Sequence, residues 1–145
     1  MKLKNVLFII ICLFSFLPVW ASVEDIKQII VKQANSMGVD PAIMLSLAKA
    51  ESGFRQEAKA ACGTVGVFQL LPATAKNMGL NAYDLNDNIK GGVMYYKSMY
   101  NMFGSAELAL AAYNSGAGAV KKCNCVPSYS RHFVNKVISD SKNFK

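Results

Sequence analysis

The stretch DPAIMLSLAKAESGF, residues 40–54, predicts a helix that carries one acid among apolar residues. Asp40 before Pro41 is a capping side chain followed by proline at the first helical position, and Gly53 supplies the stop. Glu51 continues the apolar stripe of this helix at three- and four-residue spacing. The other members of the stripe are Ile43, Met44, Leu47, Ala48 and Ala50. Burial on that stripe would raise the pKa of the Glu51 carboxyl group, because it disfavours the charged form.

A carboxyl group that keeps its proton near neutral pH can act as a general acid. The competing interpretation places Glu51 at a partly exposed helix end, paired with Arg55 four residues on. Glycoside cleavage ordinarily needs two carboxylates. The other acids after residue 21 lie at predicted helix starts, in loops or on polar faces; they are Glu24, Asp25, Asp40, Glu57, Asp84, Asp87, Glu107 and Asp140. A single buried acid favours a reaction in which the substrate supplies its own nucleophile.

Helical signals continue on both sides of this stretch. They predict further helices from Ser22 to Gly38, from Pro72 to Gly79, from Asp87 or Asn88 to Gly104, from Ser105 to Gly116, and over 128–139. The segment TVGVF, residues 64–68, is the one candidate for a short strand. Residues 22–145 are therefore predicted to form one mainly α domain with little or no sheet.

The N-terminal stretch MKLKNVLFIIICLFSFLPVWA, residues 1–21, has the layout of a secretory signal peptide cleaved after Ala21. Its apolar run from Val6 to Leu17 is shorter than the roughly 20 residues that a membrane span needs. An uncleaved anchor is the alternative. We therefore expect a periplasmic protein with no stable membrane span after cleavage.

Cleavage after Ala21 gives a first testable prediction. Trp20 is the single tryptophan of the chain and would leave with the signal peptide. The exported protein should then show tyrosine fluorescence only, as measured on protein recovered from the periplasm. Tryptophan emission from that material would place the cleavage site elsewhere.

The charge favours anionic partners over nucleic acid. Loss of Lys2 and Lys4 would lower the formal net charge from +7 to +5. The remaining basic residues are scattered, with only Lys121 and Lys122 adjacent, and no basic patch interleaved with aromatic residues is present in the sequence. An anionic wall polymer or lipid surface fits this pattern better than nucleic acid.

The cysteines after the predicted cleavage site are Cys62, Cys123 and Cys125. Export permits a disulfide, and an odd number leaves one thiol over. Cys123 and Cys125 are close in sequence, so Cys62 is expected to bridge to one of them. A zinc site that adds His132 is an alternative, although the spacing matches no common zinc motif. Nothing else in the sequence calls for a metal or a cofactor.

Several motifs in order resemble the soluble lytic transglycosylases, which are related to goose-type lysozyme. They are ESGF at 51–54, GVFQLLPATAKNMG at 66–79, NIKGGVMYYKSM at 88–99, ELALAAYNSGAGAV at 107–120 and SRHFVNKV at 130–137. The resemblance covers nearly all of residues 22–145. It implies a single-domain lysozyme-like fold and a peptidoglycan lytic transglycosylase that acts on glycan strands and forms 1,6-anhydromuramoyl ends.

The resemblance also implies residue roles. Glu51 would be the catalytic acid and then the base, with Ser52 orienting the acid or the substrate. Gly66, Phe68 and Gln69 would line the glycan cleft, and Tyr95 would form its wall. Tyr113 would hydrogen-bond near the carboxyl group, and Asn114 would hold the sugar. Spacing alone favours the alternative, in which Tyr113 is a core aromatic residue and Asn114 a helix cap.

The sequence departs from the family pattern at three places. Val67 and Phe68 replace Leu and Met, Tyr129 and Phe133 stand where Glu and Tyr are frequent, and the CNC of 123–125 is an addition. By analogy, small forms of this kind open the wall for a secretion, conjugation or pilus apparatus. The rival functions are a water-using hydrolase, with Asp84 or Asp87 as second carboxylate, and a non-catalytic glycan-binding scaffold.

Overall fold

A computed structural model of the protein describes residues 21–145, so the predicted signal peptide lies outside the described residues except for Ala21. Within this part of the chain the structure is helical. The helices are α1 (Val23–Ser36), α2 (Pro41–Ser52), α3 (Pro72–Asn77), α4 (Leu85–Phe103), α5 (Ala106–Ser115), α6 (Ala117–Cys123) and α7 (Arg131–Ser141), with 3-10 turns at Ser128–Ser130 and Lys142–Phe144. No helix in this range is both long and apolar enough to cross a membrane.

Helix ends follow the capping signals of the sequence. The Ser22 hydroxyl accepts a hydrogen bond from the Asp25 N–H, and the Asp25 carboxylate accepts one from the Ser22 N–H, which forms a capping box at α1. Asp40 caps α2, and Gly53 ends it in a left-handed conformation at φ 62°. Helix α4 begins at Leu85, earlier than predicted, because Asp84 is its capping residue. Helix α6 was not predicted.

The candidate strand at 64–68 does not form, in keeping with the prediction of little or no sheet. Val65 forms only isolated antiparallel bridges, one to Lys59 and one to Leu70. The chain between α2 and α3 is therefore an irregular loop, which we call the 54–71 loop. Two isolated bridges are too few to hold this loop in place, and side chains from the helices hold it instead.

Helix α2 lies at the centre of the core. Its stripe residues Met44, Leu47 and Ala48 have no exposed surface. Helices α1 and α7 pack against α2, and α4 packs against α5. The Ser46 hydroxyl donates a hydrogen bond of 2.7 Å to the carbonyl oxygen of Val137 and so fixes α7 on α2. This packing places the last turn of α2, which contains Glu51, on the side of the molecule where the 54–71 loop lies.

Candidate active site

The Glu51 side chain is only partly exposed at the end of the apolar stripe of α2. Desolvation by burial raises the pKa of its carboxyl group from 4.5 to about 7. The predicted alternative, a pair with Arg55, is absent, because the Arg55 Nε–H donates to the Ser52 carbonyl oxygen at 2.9 Å. No ion pair within residues 21–145 involves Glu51. The carboxyl group is therefore desolvated without a compensating cation.

The raised pKa makes stability depend on pH, which gives a second prediction. The folded pKa of about 7 lies above the ordinary 4.5. Between these values the native state binds more protons than the unfolded chain, so its free energy of unfolding falls as pH rises through this window. Glu51→Gln should remove this fall in the free energy of unfolding. The variant should then be more stable than wild type at pH 8 by at most about 3 kcal/mol.

The measurement is urea unfolding of both proteins at pH 5 and at pH 8. The difference in free energy of unfolding between variant and wild type should be larger at pH 8. A difference that is the same at both pH values would mean that Glu51 is not desolvated in the folded state.

Ser52 holds the 54–71 loop to the end of α2. The side chain is buried, and its hydroxyl donates to the carbonyl oxygen of Val67 at 2.7 Å. The same hydroxyl accepts from the Arg55 N–H at 3.1 Å. Both hydrogen bonds of the Ser52 hydroxyl go to backbone groups, so orientation of the acid or the substrate by Ser52 stays a prediction. Ser52 acts on the site through the loop.

Phe68 and Gly66 are also buried, which corrects their predicted place on the cleft wall. The Phe68 ring has no exposed surface because it fills the space over Gly92, where a Cβ atom would overlap the ring. Gly66 lies at φ 82° against the side chain of Asn88, which leaves no room for a Cβ atom. Both residues shape the loop from inside, and neither presents a side chain to a glycan.

Gln69 lies in the site, but its amide is already engaged. The Nε2 group donates to the carbonyl oxygens of Gly66 at 2.9 Å and Ala58 at 3.2 Å. The Oε1 atom accepts from the Thr64 hydroxyl at 2.9 Å. Its backbone is left-handed, at φ 47°. Gln69 thus braces the turn of the loop while its side chain forms part of the cavity described next.

One cavity of about 230 Å³ unites four of the predicted site residues. Its lining consists of Thr64, Gln69, Leu70, Leu71, Thr74, Tyr95, Tyr113, Asn114 and Gly116. The rings of Tyr95 and Tyr113 meet edge to face, with centroids 5.2 Å apart. Asn114 is exposed, and its Oδ1 accepts from the Ser130 hydroxyl at 2.9 Å.

Tyr113 connects the cavity to Glu51. Its hydroxyl donates to the carbonyl oxygen of Phe68 at 2.7 Å, rather than to the carboxyl group. Burial, and then the negative charge of Glu51, raise the pKa of Tyr113 well above its ordinary value. The phenol is therefore a neutral donor close to the acid, and it fixes the loop backbone on that side of the cavity.

Asn88 is a positioning residue that the sequence analysis missed. Its side chain is fully buried and makes three hydrogen bonds to backbone. The Oδ1 atom accepts from the Phe68 N–H at 2.9 Å, and the Nδ2 group donates to the carbonyls of Val65 at 2.9 Å and Ala82 at 2.8 Å. The sequence does carry a signal for this role. Asn88 stands beside Ile89 at the start of an apolar stripe, where an unpaired amide would destabilise the fold.

The predicted disulfide from Cys62 to Cys123 or Cys125 is wrong. Cys123 is joined to Cys125, with their Cα atoms 5.1 Å apart, and Cys62 is exposed and free among the described residues. Asn124, between the two cysteines, is left-handed at φ 48° and turns the chain back on itself at the end of α6. That turn brings Cys123 and Cys125 together, although their closeness in sequence had favoured pairing with Cys62. The Cys123–Cys125 disulfide also uses two of the thiols that the alternative zinc site required.

Comparison with known proteins places this chain in a family. A model of the transglycosylase SLT domain matches residues 28–126. The transglycosylase of Enterobacteria phage PRD1 is 35% identical over 79 residues, which cover 54% of this chain and 30% of the phage protein. Membrane-bound lytic murein transglycosylase F of Desulfosudis oleivorans is 30% identical over 111 residues, which cover 71% of this chain and 24% of that protein. The chain thus spans less than a third of the length of these relatives.

A solved structure shares the fold. The 70 kDa soluble lytic transglycosylase from Escherichia coli superposes with a TM-score of 0.70 at 22% identity, covering 79% of this chain and 23% of the other. The segment matched by the family model contains Glu51, the 54–71 loop, Tyr95, Tyr113 and Asn114. Since this match extends over more than half of the chain, the protein belongs to the transglycosylase SLT domain family.

Proposed function

We propose that the chain is a peptidoglycan lytic transglycosylase. It would cleave the bond between N-acetylmuramic acid and N-acetylglucosamine and form 1,6-anhydromuramoyl ends. The observation that carries the proposal is Glu51, a carboxyl group whose pKa is raised to about 7 by burial and which has no cationic partner in the described residues. Family membership supports the same class of substrate.

The proposed chemistry uses one group twice. Protonated Glu51 donates its proton to the glycosidic oxygen as the bond to the muramoyl C1 breaks. The resulting carboxylate then accepts the proton of the muramoyl C6 hydroxyl, whose oxygen bonds to C1. Glu51 ends protonated, and no water is consumed. A pKa close to the ambient pH suits both proton transfers, because donating and accepting the proton then have similar free-energy costs.

The cavity residues would position the sugar. Asn114 is exposed at the cavity edge, and Tyr95 presents part of its ring there. Tyr113 and Gln69 would act mainly by holding the 54–71 loop, because their polar groups are bonded to loop atoms. We propose residues 22–145 as the unit that does this, and α7, which lies beyond the family match, supports it by packing on α2.

A hydrolase that activates water fits the structure less well. It would need a second carboxylate, and the candidates were Asp84 and Asp87. The Asp84 carboxylate accepts from the Asp87 N–H at 2.9 Å, and the Asp87 carboxylate accepts from the Asn81 N–H at 2.9 Å. Both acids are exposed or partly exposed and fix the start of α4. Their geometry favours a structural role.

The test of the proposed function is the mass of the products. Purified peptidoglycan digested by the wild-type protein should yield muramoyl ends lighter by one water than hydrolysis products. Reducing ends would instead establish the hydrolase, and intact peptidoglycan with bound protein would establish the scaffold.

The proposal places the enzyme in the periplasm, where a cleaved signal at 1–21 would deliver it. Wall opening for a secretion, conjugation or pilus apparatus rests on analogy with small single-domain forms alone. Deletion of the gene in a strain that assembles such an apparatus should reduce assembly, and unchanged assembly would remove that part of the proposal.

A further inference from the structure

A second cavity, of about 420 Å³, lies away from Glu51. It forms where the link between α1 and α2 meets the later turns of α4 and the first residue of α5. Its lining consists of Gly38, Val39, Asp40, Ile43, Tyr96, Lys97, Tyr100, Asn101 and Ala106. Asp40 caps the start of α2 and Glu51 lies in its last turn, so the rise of the helix separates them by roughly 16 Å. A ligand here would not fill the cavity of the proposed active site.

The hydroxyl of Tyr96 indicates that this cavity binds something polar. The residue is only 4% exposed and lines the cavity, and its hydroxyl hydrogen-bonds to no residue within 21–145 and is not fully enclosed by protein atoms. The polar tip of a tyrosine ordinarily has a hydrogen-bond partner, and a ligand in the cavity can supply it here. Burial is the main cause that raises the pKa of Tyr96, followed by the charges of Tyr100, Asp40 and Glu107. The group is therefore a neutral hydroxyl, able to donate to a ligand in the cavity.

The remaining lining favours a neutral ligand with several hydroxyl groups. The Asp40 carboxylate would repel an anion, and the Lys97 ammonium group, which donates to the Met37 carbonyl at 2.7 Å, would repel a cation. Tyr100 is 45% exposed and offers an apolar ring face. Sugar rings combine an apolar C–H face with hydroxyl groups that both donate and accept. Pockets of this size, lined by aromatic residues with a few polar groups, are typical ligand sites.

We infer that this cavity, which we call the Tyr96–Tyr100 site, is a second glycan-binding site that takes an N-acetylhexosamine unit. The choice of a sugar rests in part on the proposed function. The sugar ring lies against Tyr100, and its hydroxyl groups bond to the Tyr96 hydroxyl, the Asp40 carboxylate and the Asn101 amide. Such a site keeps the protein on the wall polymer while the active site releases its product.

The experiment is an NMR titration of the Glu51→Gln protein with the N-acetylglucosamine tetramer, because this variant should not turn over glycan. Two groups of amide shifts should appear, one around the active-site cavity and one over 38–43 and 96–101. Tyr96→Phe keeps the ring and removes the hydroxyl, so it should weaken binding at the second group about two- to tenfold. Tyr100→Ala should weaken it further, and neither variant should move the first group.

Tyr83→Ala is the matched control, because Tyr83 is 60% exposed and lines neither cavity. It should change neither group of shifts. Absence of the second group, or a second group unaffected by both Tyr96→Phe and Tyr100→Ala, would overturn the inference. Equal shifts with a neutral tetra-alanine peptide would overturn it in favour of a peptide site. The proposed function fails separately, when wild type produces no anhydromuramoyl ends.

Discussion

Replacing Glu51 by glutamine is expected to slow peptidoglycan cleavage by at least about 10²–10⁴-fold, the range that general acid–base catalysis usually supplies. Glutamine keeps the size of the side chain but can neither donate nor accept the proton. Here one group is proposed to serve both steps, and burial raises the pKa of its carboxyl group to about 7. The measurement is the initial rate of release of soluble fragments from purified peptidoglycan.

The control is Glu57→Gln, which removes an exposed glutamate from the 54–71 loop, six residues away. Its rate should remain within about twofold of wild type. Binding of the Glu51→Gln protein to insoluble peptidoglycan should also survive, because Tyr95, Tyr113 and Asn114 remain in place. Full activity of Glu51→Gln would refute the proposed mechanism, whatever the family membership of the chain.

The sequence predicts the helical framework and the acid well, because both depend on local signals. Capping residues such as Asp40, and a glycine stop at Gly53, act within one turn of the helix they bound. The place of Glu51 on a buried stripe follows from helical periodicity alone. The raised pKa then follows from burial, so the chemistry at this one residue could be argued before the fold was known.

The sequence predicts the loop poorly, because its conformation depends on contacts that are distant along the chain. Phe68 was assigned to the cleft wall, yet it fills the space over Gly92 on α4. The cysteine pairing depended on the left-handed turn at Asn124, which no periodic pattern reveals. Family likeness identified which residues gather near the acid, and the structure separates those that reach the cavity from those that hold the loop.

Asn88→Leu is expected to cost about 3 kcal/mol or more of stability, the largest stability effect that we predict. Leucine has the same number and branching of heavy atoms as asparagine, but it leaves the Phe68 N–H unpaired. It also removes one of two donors from the carbonyl of Val65, which keeps the Leu70 N–H, and from the carbonyl of Ala82, which keeps the Gln56 Nε2 group. A buried group left unpaired costs about 1–3 kcal/mol, and each lost hydrogen bond about 0.5–1.5 kcal/mol. Urea unfolding measures the loss. Asn135→Leu, on the exposed face of α7, is the control and should change stability by no more than about 0.5 kcal/mol.

The same substitution should lower activity beyond what unfolding explains, under conditions where the variant remains folded. Asn88 holds the N–H of Phe68 while Tyr113 holds the carbonyl of the same residue, so both ends of this residue are fixed from the core. Loss of the hydrogen bond from the Phe68 N–H to Asn88 should let the 54–71 loop move. The turn that Gln69 stabilises beside the cavity should then move with it. A stability change below about 1 kcal/mol, together with wild-type activity, would show that Ser52 and Gln56 hold the loop without Asn88.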